Sequence, residues 1–428
     1  MKRTSTLALL GMGLLLGACS NDGANTQARG PDPKLPDPQR GLLPDMKIAE
    51  PTPWGDQKPT VPEGFTVTAI ATGLAIPRQT LVLPNGDILV AEGRGGSAAK
   101  LKPKDVIAGY IKAKGNTKVK GGNRLTLLRD ADGDGQYELK TVFAENLNAP
   151  YGLAFANNKI YVANQDELVS FDYREGQTQA GGAPTSVAKL PAEINHHWTK
   201  ALTVSPDGRF LYVGIGSNSN ITERGMEAEL DRALVWQIDA TTGAHKPYAT
   251  GLRNPTALAI HPETGQLWSV VNERDELGPD LVPDYLTSVR EGGFYGWPYS
   301  YWGQNVDPRV KPQDPKKVAA AIKPDYSLGS HVAALGLSFS GPAMGTKYAN
   351  GAFVGDYSKY GSVTLGIDLL ANSIQYQGRE VSRNLIVELR DYDNAYGGMP
   401  YTSVWYNLGE ISAANEGWKH YAVTIGDT

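Results

Sequence analysis

One pattern recurs along this chain. A loop carrying Pro or His leads into an apolar strand. A turn of Pro, Asn, Asp or Gly follows, and a second apolar strand returns. The first copy runs Ile76-Pro77, Leu81-Val82-Leu83, Pro84-Asn85-Gly86-Asp87, Ile88-Leu89-Val90-Ala91. The second runs Ala149-Pro150-Tyr151-Gly152, Leu153-Ala154-Phe155, Ala156-Asn157-Asn158, Lys159-Ile160-Tyr161-Val162. The third joins Asn195-His196-His197-Trp198-Thr199-Lys200 to Ala201-Leu202-Thr203-Val204, turns at Ser205-Pro206-Asp207-Gly208 and returns through Phe210-Leu211-Tyr212-Val213. The fourth begins at Arg253-Asn254-Pro255 and turns at His261-Pro262-Glu263-Thr264-Gly265; a weaker fifth begins at His331-Val332-Ala333-Ala334. Copies stand about 50 to 75 residues apart, which suits the blades of a β-propeller with decorated loops. The loops before the first strand of each blade then converge at one end of a central channel. His196, Arg253 and His331 are therefore expected to face one cavity. Helical periodicity is scarce, and Lys316 to Ile322 is the best short candidate.

Composition agrees with an all-β chain. Forty-nine glycines and 28 prolines supply turns, and 21 tyrosines and eight tryptophans suit strands. A formal net charge of -4 and the lack of a basic stripe give no reason to expect nucleic acid as a partner. The only cysteine is Cys19, so no intrachain disulfide can form. It closes a segment with Lys2 and Arg3 at its start, an apolar run from Leu7 to Leu16, and Leu16-Gly17-Ala18-Cys19. That is a signal peptide over residues 1–18, too short for a membrane span. Leu-Gly-Ala-Cys resembles the bacterial lipoprotein box, which implies a lipid anchor on Cys19; Ser20 after it implies the outer membrane. Residues 19–62 are polar and proline-rich, read as a disordered tether without a core of its own. The folded domain is expected over residues 63–428, opening on a strand at Phe65–Ile70.

Several clusters can carry chemistry. Two of the six histidines, His196 and His197, are adjacent in the loop that feeds a strand. A neutral imidazole there can take a proton near neutral pH. Arg253 beside Asn254 offers a planar fork suited to carboxylates. Asn272-Glu273-Arg274-Asp275-Glu276-Leu277-Gly278-Pro279-Asp280 is dense in hard oxygen donors, the kind that calcium prefers. Gly292-Gly293-Phe294-Tyr295-Gly296-Trp297-Pro298 reads as packing that holds that loop in place. Asp130-Ala131-Asp132-Gly133-Asp134 is too short for an EF-hand and reads as a hairpin tip. No βαβ unit for a nicotinamide cofactor is visible.

In this order, His-His-Trp-Thr-Lys, Gly-Leu-Arg-Asn-Pro, Asn-Glu-Arg-Asp-Glu-Leu-Gly and Gly-Gly-Phe-Tyr-Gly-Trp-Pro resemble the pyrroloquinoline quinone (PQQ)-dependent sugar dehydrogenases, in particular their sorbosone-dehydrogenase-like branch. The resemblance covers Phe65 to Gly355. It implies a six-bladed propeller of four-stranded antiparallel sheets, with PQQ and Ca²⁺ at the channel mouth and the last blades atypical. It implies His196 as the general base, four residues before Lys200 near the cofactor. Arg253, Asn254 and His331 are implied as cofactor contacts, and the carbonyls of Gly278 and Pro279 as calcium ligands. A sugar would be the substrate, and a cytochrome or quinone in the periplasm the electron acceptor. A metal-dependent lactonase and a non-enzymatic propeller lipoprotein that binds a glycan or protein are the competing readings.

Overall fold

The computed structural model describes residues 28–39, 58–59, 61, 65–96, 119–341 and 351–354, together with strands between 362 and 426. The signal peptide and Cys19 lie outside the described residues. The chain divides into two compact units, Met1–Gly355 and Asp356–Thr428.

The first unit is built from four antiparallel sheets of four strands. The first holds β1 (Pro77–Val82), β2 (Ile88–Glu92), β3 (Arg124–Arg129) and β4 (Leu139–Ala144). The second holds β5 (Gly152–Ala156), β6 (Lys159–Ala163), β7 (Glu167–Asp172) and β8 (Thr185–Lys189). The third holds β9 (Lys200–Val204), β10 (Phe210–Ile215), β11 (Leu234–Asp239) and β12 (His245–Thr250). The fourth holds β13 (Pro255–Ile260), β14 (Leu267–Val271) and β15 (Pro283–Ser288), then β18 (Tyr326–Ser330) after an insert. That insert carries a small hairpin of β16 (Ser300–Tyr301) and β17 (Asn305–Val306). It also carries a one-turn helix, Pro315–Ala320, whose N-cap Asp314 accepts from the Lys316 and Lys317 amides. The strand order within each sheet follows the chain, as in propeller blades.

Each sheet presents apolar side chains on both faces, and neighbouring sheets bury them together. Leu89, Leu125, Leu127 and Phe143 of the first meet Leu153, Ile160, Val169 and Phe171 of the second. Tyr161 and Leu168 of the second share a core with Leu202, Leu211, Val213 and Trp236 of the third. Tyr212 and Val235 of the third pack with Leu258, Leu267, Val271 and Tyr285 of the fourth. The first strands therefore pack in succession, β1 on β5, β5 on β9, and β9 on β13. β1, β5 and β9 also line a cavity of about 360 Å³ with Leu81, Leu83, Leu153, Phe155, Leu202 and Val204. It lies where these strands end, away from the loops that precede them.

This succession differs from the expected six blades. The described residues contain four complete sheets. The fifth repeat yields only the pair β19 (Leu337–Phe339) and β20 (Ala352–Val354), with β19 packed on β13. In the second unit, β21 (Ser362–Leu369) pairs β26 (Lys419–Gly426), and β24 (Arg383–Asp391) pairs β25 (Thr402–Ile411). β22 (Gln375–Tyr376) pairs β23 (Arg379–Glu380), so among the described residues every sheet there has two strands. Phe65–Ile70 carries no strand. Alternation alone does not make a strand, because the ladder must have an edge to join. The Asp130 loop is the tip between β3 and β4; Asp130 accepts from the Gly133 and Gly135 amides at 2.7 and 2.8 Å.

Part of the proline-rich stretch has a fixed place. Gly30 exchanges two backbone hydrogen bonds with Ser327 on β18, at 3.0 and 2.8 Å. Asp32 pairs with Lys323, and Leu35 packs against the core between the third and fourth sheets. The Gln39 amide donates to the Leu277 carbonyl at 2.8 Å. The segment has no core of its own, but it borrows that of the fourth sheet.

The stacking rests on close backbone approaches. A Cβ at Gly152 of β5 would stand 2.4 Å from the Lys200 carbonyl oxygen and 2.5 Å from the Leu202 Cβ on β9. Neither neighbour is a flexible side-chain end, so the sheets themselves would have to part. Gly152→Ala is expected to cost about 2–3 kcal/mol, the scale of overpacking a well-filled core. A urea midpoint unchanged from wild type would refute this account of the stacking.

Candidate active site

The loops that precede the first strands meet a second set of loops at the same end. His197 stands at the centre. Its backbone amide donates to the Ser217 carbonyl at 3.3 Å, and the Ser217 amide donates to the Arg253 carbonyl at 2.8 Å. Its Nδ1 lies 2.8 Å from the same Ser217 carbonyl oxygen. A carbonyl only accepts, so Nδ1 carries the proton and Nε2 is left with its lone pair. Burial, then Arg253 and His196, hold this imidazole well below the usual histidine range. The result is a neutral, oriented proton acceptor.

The motif resemblance implies that role for His196, whose setting is different. His196 is exposed. Its amide donates to Asn218 Oδ1 at 3.3 Å, and its ring stands edge-on to His197 with centroids 4.6 Å apart. Adjacent residues project to different sides, and here it is His197 that the Ser217 carbonyl orients.

Lys200 is fully buried and donates to Asn195 Oδ1 at 3.1 Å and to the Trp198 carbonyl at 3.0 Å. Burial and Arg232 push its ammonium well below the usual lysine range. Arg232, buried and lowered to about 10 by burial, donates to the His197 and Pro191 carbonyls. Two buried basic side chains thus lie behind the histidine, each hydrogen-bonded to neutral oxygens.

Arg253 does not hold out a free fork. Nε donates to the Asn220 carbonyl at 3.2 Å and Nη2 to Asn220 Oδ1 at 3.0 Å. Nη1 donates to the Asn272 and Glu273 carbonyls at 3.2 and 2.6 Å. Asp275 Oδ2 stands 4.0 Å from Nη2. The guanidinium ties the loop after β10 to the loop after β14. Asn254 is buried beside it, and its Oδ1 has no hydrogen-bond partner among the described residues. A Cβ at Gly216 would stand 2.3 Å from that oxygen and 2.6 Å from the His197 Cβ. Glycine at 216 is what lets the amide and the imidazole share one place.

The acidic loop is more interior than its composition suggests. Glu273 and Asp284 are buried. Asp284 Oδ1 accepts from the Glu273 amide and Oδ2 from the Ala333 amide, both at 2.7 Å. His331 approaches from β18, with Nε2 3.0 Å from the Gly278 carbonyl oxygen and Nδ1 3.3 Å from Asp275 Oδ1. Gly278 stands at φ 114°, where a side chain would be strained. Its neighbour across the gap is Gln39 of the docked N-terminal stretch. Arg253 and His331 therefore meet through Asp275.

The sequence reading missed the run Ser217-Asn218-Ser219-Asn220 and its brace. Glu229 accepts from the Asn218 amide at 2.7 Å and from the Ser219 hydroxyl. The available signal was a cluster of amides and hydroxyls directly after a strand, at the same end as the histidines. The glycine-aromatic stretch does support the neighbouring loops: Trp297 Nε1 donates to the Asn220 carbonyl at 3.1 Å. Arg274 and Asp307, both buried, pair at 3.2 Å and fix the insert to the acidic loop.

Comparison with known proteins follows this geometry. The family model described as TrAA12-like matches residues 59–282, more than half of the chain. The PQQ-dependent sugar dehydrogenase of Hypocrea jecorina is 22% identical over 273 residues, covering 57% of this chain and 58% of that protein. The iodide structure of the Trichoderma reesei Carbohydrate-Active Enzymes Family AA12 protein superposes with a TM-score of 0.54 at 18% identity, over 70% of this chain and 77% of that one. The holo pyranose dehydrogenase PQQ domain of Coprinopsis cinerea gives a TM-score of 0.54 at 16% identity, over 89% and 88%. At such identities the two structures speak for the fold. The chain belongs to the TrAA12-like family, and so to the PQQ-dependent sugar dehydrogenases that its motifs resemble. It is an enzyme of that class.

Burial raises Glu273 to about 7 and Asp284 to about 6. Unfolded carboxylates titrate near 4, so between about pH 4 and 7 the folded state binds more protons than the unfolded. The contribution of these two groups to stability is therefore expected to fall as pH rises through that window, against the opposite contribution of His197. Urea midpoints at pH 5 and pH 8, in the wild type and in Glu273→Gln, test this. The difference between pH 8 and pH 5 should become more positive in Glu273→Gln, and a difference unchanged by the substitution would contradict the assignment.

Proposed function

We propose that this protein oxidises a C–OH of an aldose or sugar aldehyde, with His197 as the general base. The observation that carries the reading is the hydrogen bond from His197 Nδ1 to the Ser217 carbonyl, which leaves Nε2 as a fixed acceptor in a ring of buried cations. When bound, PQQ supplies the two-electron acceptor and Ca²⁺ the Lewis acid for this chemistry.

The residues suit a polyanionic cofactor. Lys200 and Arg232 are buried with neutral oxygen partners, so an anion in front of them offsets their desolvation. The unpartnered Asn254 Oδ1 is a place for a ligand donor beside His197. Arg253 acts by charge, since its donors are already committed to carbonyls. The Gly278 and Pro279 carbonyls would hold calcium, and His331 would give up its bond to Gly278 to let it in. The six-bladed ring that the motifs imply stays part of this proposal; it asks for two sheets beyond the four described.

Reconstitution is the direct test. Added PQQ and Ca²⁺ should quench the tryptophan fluorescence and give dye reduction with sugars, and a calcium chelator should abolish both. His197→Gln should slow reduction by about a hundred- to ten-thousand-fold at saturating PQQ, the usual loss for a positioned base, with quenching kept. His196→Gln should cost far less. A larger loss in the His196 variant would return the role to that residue, and no turnover with any sugar would overturn the dehydrogenase reading.

We also propose attachment through lipidated Cys19 to the outer membrane, facing a periplasmic cytochrome or quinone acceptor. Cys19→Ser should move the protein out of the membrane fraction or block its processing. A normally processed variant that stays membrane-bound would exclude this anchor.

A further inference from the structure

We propose that Asn220 is a positioning residue of this site, holding in place the Arg253 guanidinium whose charge acts on His197, and tying it to the 272–280 loop. The proposal rests on the reading of His197 as the base.

Asn220 uses nearly every polar atom it has. Its carbonyl accepts from Arg253 Nε at 3.2 Å and from Trp297 Nε1 at 3.1 Å. Its Oδ1 accepts from Arg253 Nη2 at 3.0 Å and from the Asp275 amide at 2.8 Å. Its Nδ2 donates to the Asp275 carbonyl at 3.1 Å, and its own amide donates to Glu223 Oε1 at 2.9 Å. One residue thus joins the loop after β10, the loop after β14 and the tryptophan of the insert. An amide suits this place because it accepts from a guanidinium and donates to a carbonyl at the same time. Alanine can do neither, and aspartate loses the donor.

The effect reaches His197 through charge. The backbones of His197, Ser217 and Arg253 form one hydrogen-bonded ladder, and the Arg253 charge acts on the imidazole. The charged or titratable groups that lower the imidazole's proton affinity are Arg253, His196 and Arg232. Of these, only Arg253 is held by Asn220. Without the Oδ1 acceptor, Nη2 is left with Asp275, 4.0 Å away, and solvent, while Nε and Nη1 keep their carbonyls, so the charge is drawn toward that carboxylate. The imidazole then feels less of that positive charge, and its protonated form becomes easier to reach. A base that binds a proton before the sugar arrives cannot accept one from it.

The test is a proton-NMR titration of His197, assigned by loss of its signal in His197→Gln, on the purified protein with neither PQQ nor sugar. In the wild type this ring should titrate below the ordinary histidine range. In Arg253→Gln its proton affinity should rise on the order of ten-fold, the usual scale for one nearby charge. Asn220→Ala, which leaves the Nε and Nη1 bonds in place, should raise it by less, and the double variant should rise no further than Arg253→Gln alone. Asn220→Ser, a milder change, should shift it in the same direction by less. A fall in thermal stability with the titration unmoved would show Asn220 to be only structural and overturn the proposal. Additive shifts in the double variant would also overturn it, since Asn220 would then act by another route. A dehydrogenase reading that failed for want of turnover would leave this titration unaffected, so the two failures are distinguishable.

Discussion

The site depends on a buried guanidinium that has no carboxylate in hydrogen-bond range. Arg253 must direct its donors somewhere, and it finds the carbonyls of Asn220, Asn272 and Glu273. Carbonyls of two different sheets can converge on one fork only if those sheets are stacked in one way. The close approach of Gly214 to the Pro255 carbonyl supplies that stacking, since a Cβ there would stand 2.6 Å from the oxygen. Sheet packing, the fork and the orientation of His197 are therefore links in one chain of constraints. A buried charge hydrogen-bonded to neutral dipoles keeps part of its field, offset by Asp275 at 4.0 Å and by the buried Glu273 and Asp284.

That field explains the division of labour between the two histidines. His197 is kept neutral by enclosure and by cations, and its tautomer is set by one carbonyl. His196, one residue away, is in water. The same side chain thus has two chemistries, set by which way the backbone turns. Asn195, with φ 52°, is the residue that turns it, and asparagine tolerates that left-handed conformation better than most.

Much of the fold was legible because its signal is local. The hairpin repeats before Val82, Ala156, Val204 and Ile260 all became inner strands of complete sheets. The motif at Leu335–Phe339 gave only a pair, because the two strands that complete a sheet must come from segments that the hairpin itself does not specify. The meeting of Arg253 with His331 through Asp275 was also readable, since both precede or follow strands at one end. Which of the two adjacent rings meets a carbonyl was not, because sequence spacing does not say that it is His197. Nor did Ser217-Asn218-Ser219-Asn220 stand out, since such runs ordinarily mark turns. A guanidinium in a sequence shows a charge; only packing shows that its donors are already engaged.

The docked stretch Ala28–Gln39 changes the mechanics of anchoring. On composition, a tether from Cys19 to Pro62 would let the enzyme roam over ~150 Å, at roughly 3.5 Å per residue. With Gly30 bonded to Ser327, the chain is held to the fourth sheet from Ala28 onward, and Cys19 lies at most ~30 Å of chain from that point. A pull on the N-terminus would then be borne by β18 through Gly30 rather than by β1.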